Sequence, residues 1–62
     1  MNKYIYVKDT SPITRSEAVN IACKVAGWVV LPVGDNKIMI DSGDYNNVTY
    51  EITKAGCHWG RA

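Results

Sequence analysis

Phenylalanine is missing from this 62-residue chain, and leucine occurs once, at Leu31. A helix bundle builds its seams from leucine, so this scarcity speaks against one. Seven Val and six Ile are present instead, branched at Cβ and stiff at χ1, which suits a pleated surface. Charge of one sign is scarce as well: seven Lys and Arg face six Asp and Glu, a net of +1. That balance lacks the surplus of cations that phosphate backbones demand. Two cysteines make no disulfide framework, and both are expected as thiols in a reducing compartment. Cys23, Cys57 and His58 lack the C-x-x-C or H-x-x-x-H spacing of a closed zinc site, which takes four ligands. Asp35, Asp41 and Asp44 lack the closing Glu of a calcium loop and read as turn formers and edge charges. No apolar run approaches bilayer length. Met1 to Tyr4 opens straight into an alternating segment, without the basic, apolar and small-residue order of a secretory leader. The expectation is an intact cytoplasmic chain with no cofactor, metal or membrane partner.

Sixty-two residues make a single domain, 1–62. A chain this short buries only roughly 60 % of the surface it exposes unfolded, which excludes a second lobe or a deep enclosed pocket.

Lys3 to Lys8 alternate strictly, with Ile5 and Val7 on one side and Tyr4 and Tyr6 on the other, the pattern of a half-buried strand. After the turn residues Asp9 to Pro12, Thr14-Arg15-Ser16-Glu17 forms a capping box. Ala18, Ile21, Ala22 and Val25 then recur at helical spacing, and Gly27 stands where a left-handed C-terminal cap belongs. Ile21 is expected to be buried on this stripe, and its replacement by Ala to cost a few kcal/mol. Beyond Gly27 the period drops to two. Trp28 to Val33 reads as a strand whose Pro32 belongs at an edge or bulge, and Gly34-Asp35-Asn36 as a hairpin loop. Lys37 to Asp41 returns with Ile38 and Ile40 inward and Met39 outward. Ser42 to Asn47 reads as a longer turn, and Val48 to Thr53 as a third strand of the meander, Val48, Tyr50 and Ile52 inward. The tail, 54–62, reads as a short edge strand or an irregular segment. The expected fold is α+β, in the order β-α-β-β-β, with one amphipathic helix packed on one face of a small, mainly antiparallel sheet. That single helix leaves the second face uncovered.

Candidate chemistry is thin. Cys57 and His58 would form a nucleophilic pair only if a cleft held them together, and neighbours on extended backbone point apart. The chain is therefore expected not to be an enzyme. The uncovered sheet face is the better candidate: Tyr4, Tyr6, Met39 and Glu51 on it, with Tyr45 in the long turn and Trp59 in the tail beside it. Tyr, Trp and Met bring large contact area to interface cores at modest entropy cost, and a rim Glu sets partner choice. Trp28 and Val30 join this face or not according to the register of their strand, which Pro32 leaves open; otherwise Trp28 completes the core on the helix side. A second copy of the chain burying the face would satisfy the same physics. So would a single-stranded nucleic acid stacked on Tyr4 and Tyr6, the alternative reading, which the near-neutral charge disfavours.

The YIYV strand, the ITRSEAVNIACKVAG helix and the WVVLPVGDNKIMID hairpin together resemble, in size and architecture, the small host-takeover and anti-defence proteins of bacteriophages, anti-CRISPR proteins among them. The resemblance implies a non-enzymatic inhibitor in the host cytosol that binds a host protein or defence complex and blocks it sterically. Many such inhibitors are strongly acidic mimics of nucleic acid. At +1 this chain departs from that pattern, which favours steric blocking over mimicry.

Overall fold

The computed structural model describes residues 2–27, 30–34 and 36–62. Along the chain run β1 (Asn2–Val7), α1 (Arg15–Ala26), β2 (Leu31–Val33), β3 (Lys37–Asp41), α2 (Tyr45–Lys54) and β4 (Trp59–Arg61). The four strands form one antiparallel sheet in the order β2-β3-β1-β4. Each helix thus links two strands separated by a third, the split β-α-β arrangement made twice.

The α+β class and the antiparallel sheet are as the sequence implies, and so are the signals around α1. The Thr14 hydroxyl accepts from the Glu17 amide at 3.3 Å. Gly27 ends the helix with φ of 77°, its N–H on the Cys23 carbonyl, a conformation that an L side chain would strain. On the buried side of α1, however, Ala18 and Ala22 are fully enclosed while Ile21 and Val25 are only half-buried. The expected cost of Ile21→Ala shrinks accordingly.

One element is a correction. Val48 to Thr53 is not a third strand of a meander but the body of α2, which begins at Tyr45, inside the segment read as a turn. The alternation of Val48, Tyr50 and Ile52 coexists with a helical period, Tyr45, Val48, Thr49 and Ile52 at i, i+3, i+4 and i+7, and these four are the residues buried. Tyr50, expected inward, is 65 % exposed. Thr49 and Thr53 fit the helix because each hydroxyl donates to the carbonyl one turn earlier, Tyr45 and Thr49, both at 2.7 Å. Among the described residues there are therefore two helices, not one.

Both pack on the same side of the sheet. Ile5, Val7, Ile38 and Ile40 from the strands meet Ala18, Ala22, Val48 and Ile52 from the helices, with Val30, Tyr45 and Cys57 closing the core. Trp28, Val29 and Asp35 lie outside the described residues, so the start of the Trp28–Val33 strand and the place of Trp28 do too; the strand is described from Leu31.

The hydrogen-bond phase places each strand edge. Val7 N–H donates to Asn36 O at 2.7 Å, so the odd residues of β1 bond β3, and Lys37 and Met39 turn their backbone groups to β2. Pro32, opposite Ile38, then lies with its backbone nitrogen toward solvent on an edge strand, where the missing N–H costs nothing. The tail forms the other edge, as β4.

Candidate functional site

Because both helices occupy the isoleucine side, no helix or strand among the described residues covers the opposite face of the sheet. Register defines its rows. Leu31, Met39 and Tyr4 lie side by side across β2, β3 and β1, and Val33, Lys37 and Tyr6 form the next row, which reaches Gly60 on β4. Leu31 is 52 % exposed, Tyr4 41 %, Val33 38 % and Tyr6 37 %. Met39, in the middle, is half-buried by its neighbours. Tyr4 Oη lies 3.7 Å from its sulfur and Asn2 Nδ2 3.3 Å from it.

The tyrosines are held down on the sheet. A Cβ added to Gly60 would stand 2.7 Å from the Tyr6 ring, which occupies the space a side chain would otherwise fill. A side chain at Gly60 would have to turn this ring aside, and the sequence, where Gly60 merely flanks Trp59, carries no sign of the contact. The charge on this face is mixed: Lys37 lies between Tyr6 and Val33, Lys8 and Asp9 line one hollow with Tyr6 and Lys37, and Asp41 stands opposite Asn2 at the end of the sheet.

Of the six residues singled out from the sequence, three are on this face: Tyr4, Tyr6 and Met39. The other three are elsewhere. Glu51 is on α2, across the sheet from the tyrosines, because its segment is helical. Tyr45 is buried in the first turn of α2. Its ring meets Trp59 edge to face, 6.1 Å between centroids at 88°, and the Lys3 ammonium sits 4.7 Å above it. Trp59 is half-buried, its indole N–H donating to Thr53 Oγ1 at 2.7 Å, so it fastens β4 to α2. Leu31 and Val33 are the face residues that the sequence reading passed over. Alternation about Pro32 puts these two on one face, and only the β2–β3 register makes it the open one.

Cys57 and His58 diverge. The thiol is buried, and burial pushes its pKa up, with a hydrogen bond from the Ser11 side chain opposing in part. His58 is exposed, with its Nδ1 3.2 Å from Thr10 Oγ1 and its own N–H on the Ser11 hydroxyl. A raised pKa leaves less thiolate at neutral pH than a free cysteine has, so labelling of Cys57 by a thiol reagent is expected to be slow in the folded chain and fast in denaturant. Rapid labelling without denaturant contradicts this placement. Cys23 is half-buried on α1, where its sulfur accepts from Val30 N–H at 3.3 Å. Both cysteines are free. Among the described residues, no group of three or more His, Cys, Asp or Glu is placed to hold a metal ion, and no helix is long and apolar enough to cross a membrane.

No protein-family model, curated protein or solved structure matches the chain.

Proposed function

We propose that the chain is a small protein-binding module that acts by covering a partner's surface, with the open sheet face as its contact. The observation that supports it is the row structure of that face: two tyrosines, a leucine, a valine and a methionine side by side on a rigid sheet, with nothing from the described chain above them. Exposed apolar area gathered in this way is unusual for a small soluble domain. The partner that fits is an apolar protein surface carrying an acidic group opposite Lys37. An interface of ordinary size takes about 800 Å² from each side, roughly a fifth of the chain's 3980 Å² surface, so a partner would cover the whole face and its flanking loops. The role of inhibitor belongs to the same proposal: so small a domain contributes area to a complex and blocks what it covers. Action on a host protein in the cytosol, in the manner of the phage proteins that the chain resembles, accords with its two free thiols.

The experiment is a comparison of baits. A partner retained by the unaltered chain is expected to bind Tyr6→Ala at least about fivefold more weakly, the loss of a hot-spot aromatic, while Glu51→Ala binds as the parent does. Equal binding of Tyr6→Ala would end the proposal.

A second reading has one observation in its favour. Tyr4 and Tyr6 lie two residues apart on a central strand of a four-stranded sheet, the placement on which single-stranded RNA stacks its bases in sheet-based binders. Opposing it, the cations near the tyrosines, Lys37 and Lys8, are offset by Asp41 and Asp9, where phosphates call for a surplus of cations. Titration with a labelled single-stranded oligonucleotide at two salt concentrations separates the two: affinity that collapses with salt favours nucleic acid, and no binding at either favours the protein partner.

A further inference from the structure

The two edges of the sheet are not alike. On β2 the outward backbone position is Pro32, which has no N–H to offer a visitor, a common way of closing an edge. On β4 nothing comparable is present. Lys8 N–H donates to His58 O at 2.8 Å and Ala62 N–H to Tyr4 O at 3.1 Å, so residues 58, 60 and 62 bond to β1. The N–H and C=O of Trp59 and Arg61 therefore point away from the sheet, and no strand among the described residues lies beyond them.

What stands along this open edge is self-complementary. Trp59 and Arg61 lie on the helix side of β4, one on either side of Gly60. Antiparallel pairing of β4 with its own copy, centred on Gly60, sets Trp59 opposite Arg61 and Arg61 opposite Trp59. That is the register in which the outward N–H and C=O of both residues find partners, and it brings each guanidinium to an indole, the best aromatic acceptor of a cation. The helix side of the same edge supplies a second observation. Tyr50, the most exposed large apolar side chain described, lines a groove with Thr49, Thr53, Lys54 and Trp59 on the β4 flank of α2. A two-fold axis normal to the sheet at Gly60 brings α2 of each copy toward the other across this groove.

We propose that the chain forms a two-fold dimer by antiparallel β4–β4 pairing in the register Trp59 to Arg61, with Tyr50 of each copy in the seam between the two α2 helices. The paired sheets run on as eight strands, and both open faces lie on the same side, joined into one surface twice as wide. The proposal does not depend on what docks on that surface.

Sedimentation equilibrium from micromolar to millimolar concentration tests it, with Arg61→Pro as the variant. Proline at 61 removes an outward N–H without touching a bond to β1, and so closes this edge as Pro32 closes the other. The expected result is a dimer for the parent chain and association at least ~tenfold weaker for Arg61→Pro, since each dimer loses a hydrogen bond at two positions together with the cation–aromatic contact. A parent chain that stays monomeric throughout overturns the proposal, and so does a dimer that survives Arg61→Pro or is lost instead in Leu31→Ala, on the far edge of the open face. If Arg61→Pro does not fold, amide exchange in the unaltered chain decides: protection of the Trp59 and Arg61 amides that grows with concentration supports the edge pairing, and protection independent of concentration refutes it.

Discussion

Ile38→Ala is expected to cost about 3–4 kcal/mol and to leave much of the chain unfolded at room temperature. Ile38 is fully buried and sits between Ile5 on β1 and Pro32 on β2, so its side chain fills the middle of the sheet's inner surface. Strands on both sides fix the backbone there, and the site has little freedom to collapse around a lost side chain. A domain of this length has roughly 3–9 kcal/mol of stability in total at ordinary per-residue values. One cavity in the core is thus comparable with the whole. Urea denaturation of the parent and the variant measures it, and a midpoint that barely moves contradicts the placement of Ile38 at the centre of the core.

The second large effect is expected from adding volume. Ala18 and Ala22, one turn apart on α1, are fully buried in the layer where α1 meets α2 and the sheet. Alanine at both positions lets the helix axes approach closely, and a larger side chain there has to displace buried neighbours. Ala22→Leu is expected to destabilise by about 1–3 kcal/mol through overpacking, although it raises neither polarity nor charge and leucine is a good helix former. The same substitution at an exposed position such as Asn20 is expected to be near neutral. Thermal unfolding of the two variants side by side checks this, and equal melting temperatures would show that α1 does not pack through its alanines.

These two positions also show how far the sequence could be read. The inner and outer faces of β1 and β3 were legible because alternation is a property of the strand itself, and Ile5, Ile38, Tyr4 and Met39 fall where the period puts them. The limits of α1 were legible because Thr14 and Gly27 act on the backbone beside them. Which residues of its apolar stripe lie deepest was not, since Ala18 and Ala22 rather than Ile21 and Val25 face α2, a helix whose signal the sequence hides. That helix was hidden by its composition. Val48, Thr49, Ile52 and Thr53 are branched at Cβ, and Asn46 and Asn47 are weak helix formers, so local preference pointed to a strand. Burial of Tyr45, Val48, Thr49 and Ile52 on one stripe outweighs it. The misplacement of Glu51 follows directly, since a residue two from Thr49 shares its strand face but not its helix face.

Three of the five apolar residues of the candidate face were legible for the same reason as the strands. Tyr4, Tyr6 and Met39 needed only alternation, whereas Leu31 and Val33 needed the phase of the β2–β3 pairing, which places Pro32 outward and its neighbours on the open side. Tyr45 and Trp59 read as interface aromatics because large rings suit either a contact surface or a core. Only their mutual contact, 14 residues apart in the chain, assigns them to the core side.

The central claim is that both helices lie on one side of the sheet and leave the face of Tyr4, Tyr6, Leu31 and Met39 open to solvent. Hydroxyl-radical footprinting of the dilute chain reads it residue by residue. Fast modification of those four side chains, with Ile5, Ile38 and Ile40 protected, is the expected pattern. Protection of Tyr4 and Tyr6 to the level of Ile5 would mean that the face is covered and would contradict the account.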